Sequence, residues 1–108
     1  MEMLKAMSLL KEKLDGAYAV AAIDLKNESH FYVMRNKSPL LLGQSDSGMF
    51  AASDPLALAD LTNEFIFLED GDVAEVSSKE YKILDKNQKR AIRKITTFDV
   101  SSEAMGKN

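Results

Sequence analysis

The chain contains no cysteine. That excludes a disulfide, a thiolate nucleophile and a Cys-ligated zinc. Histidine occurs once, at His30, so no second imidazole is at hand to complete a metal site. There is no apolar stretch of membrane-spanning length. No basic flank with an apolar core marks a secretory signal. No excess of basic residues is available for nucleic acid: the net charge is −3, and a polyanion demands a basic face. These absences point to a cytoplasmic protein that takes neither a membrane nor a nucleic acid as partner.

What remains is an ordinary globular profile. The 108 residues are 45% hydrophobic and 29% charged, enough for one domain, or part of one, with a real core. Met3, Met7, Leu10 and Leu14 recur at helical spacing, which predicts a long N-terminal helix over 2–14, stopped by Asp15-Gly16. Ala17 to Ile23 is apolar without polar alternation and reads as a strand covered on both faces. Lys26–Ser29 turns the chain and Phe31–Met34 returns it, making a hairpin.

Beyond the break at Asn36–Pro39, Leu40–Leu42 is a short strand ending at Gly43, Ser45–Gly48 a loop, and Met49–Ala52 another strand. Ser53-Asp54-Pro55 is a helix start, with a capping side chain followed by proline at the first position. The short helix ends near Thr62-Asn63. Phe65–Leu68, Glu69–Asp72 and Val73–Val76 read as strand, tight turn and strand, a second hairpin around Asp70-Gly71. Tyr81–Leu84 adds a strand and Asp85–Gln88 a turn. Ile92–Thr97 is an expected edge strand with Arg93 and Lys94 facing solvent. The fold class is α+β, a mostly antiparallel sheet with one long N-terminal helix and one short helix. Two strands that need cover on both faces, with little helix to provide it, imply a polypeptide that is incomplete or self-associates.

No residue pattern carries catalysis. His30 reads as a surface residue. Glu69, Asp70 and Asp72 flank a turn and lack the longer ligand series of a calcium loop. Ser53-Asp54 is explained by capping, and no Gly-x-Ser-x-Gly elbow is present. Gly43–Gly48 has two glycines without a phosphate-loop lysine. Lys89-Arg90 with Arg93-Lys94 reads as a solvated strand end. The expected catalytic, cofactor-binding and metal residues are therefore none.

Four blocks in order resemble the class II glutamine amidotransferases: Leu14–Ala21, Arg35 with Ser38–Gly43, Phe50–Leu58, and Phe65–Val76. The last block points to one member, whose partner is a separate sugar-isomerase domain. The resemblance implies a four-layer αββα sandwich of the N-terminal-nucleophile hydrolase type, of which this would be a part. It implies an N-terminal Cys nucleophile with its α-amine as base, an Asn-Gly oxyanion hole, and an Arg and an Asp that hold glutamine. None of these motifs stands in this chain. On this reading residues 1–98 are the C-terminal part of a glutaminase domain and 99–108 a loose tail towards an interdomain linker. The chain alone is inactive. Its partners are the rest of the glutaminase domain, the sugar-isomerase domain and further copies of itself. Two alternatives stand beside this one: the glutaminase part of another member such as amidophosphoribosyltransferase, and a non-catalytic scaffold protein.

Overall fold

The computed structural model describes residues 6–7, 9–10, 14, 16–23 and 30–97. The expected tail at 99–108 and the turn at Lys26–Ser29 lie outside the described residues. Among the described residues, nine strands form two antiparallel sheets. They are β1 (Tyr18–Ile23), β2 (His30–Asn36), β3 (Leu41–Ser45), β4 (Gly48–Ala52), β5 (Glu64–Phe67), β6 (Val73–Ser77), β7 (Tyr81–Leu84), β8 (Arg90–Ala91) and β9 (Ile95–Thr97). The five-stranded sheet runs β1-β2-β6-β7-β8 and the four-stranded sheet β4-β3-β5-β9.

The sheets pack face to face. Val33, Ala74, Val76 and Ile83 of the larger sheet meet Leu42, Ile66 and Leu68 of the smaller side in one buried cluster. Outside the larger sheet, Tyr32, Met34 and Val73 pack with Met7. Outside the smaller sheet, Leu41 and Phe65 pack with Leu58 of the 3-10 helix Pro55–Leu58. The period of two in a strand sends alternate residues to these two layers, and that is why β2, β3, β5 and β6 are apolar on both faces.

The predicted long N-terminal helix is not seen. Ala6, Met7, Leu9 and Leu10 are helical, Leu14 is not, and the rest of 2–14 lies outside the described residues. The predicted short helix is there as a single 3-10 turn. Asp54 caps it, its Oδ1 accepting from the Leu56 amide at 2.8 Å, with Pro55 at the first position. Gly43 makes room for it. A Cβ at Gly43 would stand 2.8 Å from Thr62 Cγ2 and 2.9 Å from Leu58 Cδ1, so the bare backbone is what lets the turn lie on the sheet. The strand predicted to end at Gly43 runs on to Ser45, and Asp46-Ser47 is the turn to β4.

Three further expectations are corrected. The first hairpin forms, with Ala21 opposite Val33 and Ile23 opposite Phe31. However, β1 is an edge strand whose residues alternate half-buried and exposed, so it is not covered on both faces. The second hairpin does not form. β5 pairs with β3 and β9, whereas β6 pairs with β2 and β7. The segment between them carries the chain from one sheet to the other. The predicted edge strand at Ile92–Thr97 splits: β9 occupies Ile95–Thr97, and Ile92 is 95% exposed.

Candidate functional site

The chain crosses between the sheets three times, at 37–40, 68–72 and 92–94. All three crossings are tied together at one acidic corner. Glu69, Asp70, Gly71 and Asp72 form its turn, with the Asp72 amide donating to Glu69 O at 3.0 Å and the Glu69 amide donating to Asp72 Oδ2 at 2.7 Å. Such a reciprocal pair is what an aspartate in a turn supplies.

The first crossing is fastened by Arg35 and Lys37. Arg35 donates from Nη1 to Leu68 O at 2.6 Å and from Nη2 to Asp70 Oδ1 at 2.5 Å. The Lys37 amide donates to the same Asp70 oxygen at 2.7 Å. Main-chain bonds complete the join: the Gly71 amide to Arg35 O at 2.9 Å and the Arg35 amide to Asp72 O at 3.2 Å. Lys37 holds a left-handed conformation at φ 60° where the chain turns away.

The third crossing is fastened by Arg93. Its Nε and Nη2 each reach Asp72, at 2.8 Å to Oδ2 and 2.8 Å to Oδ1, and its Nη1 lies 3.5 Å from Glu69 Oε2. This is a planar fork on a planar carboxylate, the strong geometry for such a pair. Asp72 is fully buried. Its oxygens take two guanidinium donors and one amide, which offsets the desolvation of the charge. The hydrogen bond to Asp72 raises the Arg93 pKa against the opposing effect of burial. Asp85, beside the corner, has its pKa lowered from 3.8, first by the Lys89 amide and then by the Asn87 amide. Those bonds close the β7–β8 turn.

Gly71 is required here twice over. Its φ of 86° is a region side chains avoid, and a Cβ there would lie 2.6 Å from Lys86 Cβ. Gly71→Ala is expected to lower stability by about 2–3 kcal/mol, from left-handed strain plus overpacking. Urea denaturation of the two chains measures it, and equal midpoints would refute the close approach.

The acidic turn was expected to be structural, and the geometry gives it that work. The solvated basic cluster is corrected in one member: Arg93 is held in the corner with a side chain 17% exposed, while Lys89, Arg90 and Lys94 are exposed. Arg35 and Arg93 were missed as corner residues. The available signal was three acids within four residues at 69–72 with no base nearby in sequence. His30 opens β2 opposite Ser77, at a cleft it shares with Glu75, Lys82 and Arg90. Ser53 and Asp54 sit at the 3-10 turn, away from the corner. Among the described residues no three His, Cys, Asp or Glu side chains group as metal ligands.

No protein-family model matches the chain. Curated proteins do. A glutamine–fructose-6-phosphate aminotransferase (isomerizing) of Vibrio parahaemolyticus is 36% identical over 102 residues, covering 94% of this chain. Enzymes of the same name from Idiomarina loihiensis and Haemophilus influenzae are 37% and 35% identical, over 98% and 97% of it. The chain is homologous to glutamine–fructose-6-phosphate aminotransferase. It spans 17% of the length of each of these three relatives. The match to the aminotransferases therefore concerns one segment of a much longer enzyme. That segment here contains no cysteine to act as a nucleophile. At the two-arginine corner the buried Asp72 carboxylate is fully engaged, whereas Arg35 Nε is buried without a hydrogen-bond partner among the described residues.

Proposed function

We propose that this chain is the C-terminal part of the glutaminase domain of a glutamine–fructose-6-phosphate aminotransferase, and that its role is structural. Residues 1–98 belong to that domain and 99–108 lead towards an interdomain linker. The parent hydrolyses glutamine and passes the ammonia to fructose 6-phosphate, making glucosamine 6-phosphate in the cytoplasm. The rest of the glutaminase domain supplies the nucleophile, and a sugar-isomerase domain receives the ammonia. This chain contributes no catalytic, cofactor-binding or metal residue.

The observation that carries the reading is the identity of 36–37% to enzymes of this name along nearly the whole chain. The architecture supports it. Two facing sheets are the inner layers of an αββα sandwich, and Met7, helical and buried against Tyr32, Met34 and Val73, marks the side on which one helical layer packs. The corner holds the two sheets at a fixed offset, which is what a half-domain must do for an active site carried elsewhere. Alone, the chain self-associates through the sheet it leaves uncovered.

The reading predicts that the purified 108-residue chain releases no ammonia from glutamine. A coupled ammonia assay over a range of protein concentrations checks this. Release that rises in proportion to the chain sinks the proposal.

A further inference from the structure

We infer that β1 is the surface through which two copies of this chain join, by antiparallel pairing of β1 with itself about Ala21. The inference rests on the reading that the isolated chain self-associates, and it names where. Edge strands present unpaired amides and carbonyls, and proteins blunt them with charge, proline or brevity. β8 is two residues long and contains Arg90; β9 is three residues long and follows Lys94. β1 has six residues, Tyr-Ala-Val-Ala-Ala-Ile, with no charge, proline or glycine. Among the described residues, one long edge of the larger sheet is therefore unprotected.

Faces decide the register. Ala19, Ala21 and Ile23 are exposed, and Ala21 and Ile23 stand opposite Val33 and Phe31, which belong to the inter-sheet cluster. The smaller sheet thus stops short of covering β1. Tyr18, Val20 and Ala22 face the other way and pack with the Met7 cluster. A two-fold axis normal to the sheet keeps these faces aligned only if each residue pairs with one of the same parity. Centring on Ala21 does so. It sets Ile23, 68% exposed, against Ala19 of the second copy, and Val20 against Ala22. Ile23 and Val20 each meet an alanine, Ala21 meets its own copy, and no charges oppose within Ala19–Ile23.

The other uncharged edge, β4, does not fit itself in the same way. Pairing β4 with its copy about Phe50 would bring Asp46 and Asp54, two residues beyond either end of the strand, towards one another at both ends, and like charges repel.

The absence of native cysteine makes the test direct. Cα atoms opposite one another in an antiparallel pair are about 4.5–5.5 Å apart, within the roughly 4.4–6.8 Å a disulfide spans. Ala21→Cys should oxidise to a covalent dimer many-fold faster than Ser47→Cys, an exposed control at the β3–β4 turn. Sedimentation of the unaltered chain should give twice the 12.0 kDa of one copy. Ala21→Lys, with an unchanged circular dichroism spectrum, should give a monomer. A monomer for the unaltered chain at all concentrations would overturn self-association itself. A dimer in which Ala21→Cys cross-links no faster than Ser47→Cys, or one that survives Ala21→Lys, would overturn the β1 register while self-association stands.

Discussion

Arg93→Ala is expected to lower stability by about 3–5 kcal/mol, the range for removing one partner of a buried, hydrogen-bonded charge pair. A domain of this size has a total of roughly 5–15 kcal/mol, so much of the folded population would be lost. The cause is the carboxylate left behind. Asp72 is fully buried and keeps only the Glu69 amide once both guanidinium bonds are gone. Arg93→Lys recovers little, because a point charge on a flexible stem cannot make the two-pronged contact. Asp72→Asn combined with Arg93→Met is expected to be milder than Arg93→Ala alone, since it removes both charges together. Chemical denaturation of the three variants tests the ordering. Arg93→Ala within about 1 kcal/mol of the unaltered chain, the value typical of an exposed pair, would mean that the corner is not a buried joint.

The corner also separates what could be read in the sequence from what could not. Local signals were sound. Asp54-Pro55 started a turn, Asp46-Ser47 lay in a hairpin loop, and the strand segments stood close to their places. These depend on residues within a few positions of one another. The joint depends on residues 21 and 35 positions apart, Arg93 with Asp72 and Arg35 with Asp70. In its own surroundings, Ile92-Arg93-Lys94-Ile95 looks like a solvated edge, and nothing within it reports a buried acid elsewhere. The apparent second hairpin failed for the same reason. Asp70-Gly71 is sound turn chemistry, but a turn does not specify which strands pair on either side. Arg35 and Arg93 make the turn a passage between sheets.

Strand β1 failed differently. Over its first four residues the alternation is one of size, not polarity: Tyr18 and Val20 are large and half-buried, Ala19 and Ala21 small and exposed, while Ala22 and Ile23 reverse the sizes. Alanine is apolar enough to hide that period from a hydropathy reading and small enough to be exposed at little cost. The lack of one residue type is legible without any pattern. With no cysteine in the chain, none of its own side chains is a thiolate nucleophile.

β5 is where the two-layer reading is most exposed to refutation. Phe65 and Ile66 are both fully buried, yet adjacent residues of a strand face opposite ways. Phe65 lies under the 3-10 turn with Leu41 and Leu58, and Ile66 lies between the sheets with Val33 and Val76. Phe65→Ala is expected to cost about 3–5 kcal/mol and Ile66→Ala about 2–5 kcal/mol, each opening a cavity in a different layer. Phe67→Ala, at a side chain 42% exposed, should fall well below both. The buried members of the two layers form separate clusters, so Phe65→Ala and Ile66→Ala should be nearly additive when combined with single cuts in the opposite layer. Phe65→Ala with Val76→Ala should sum, whereas Ile66→Ala with Val76→Ala should couple within one cluster. If Phe65 and Val76 prove as strongly coupled as Ile66 and Val76, then β5 and β6 share one core as a hairpin would. The crossing at Glu69–Asp72, and with it the arginine joint, would be wrong.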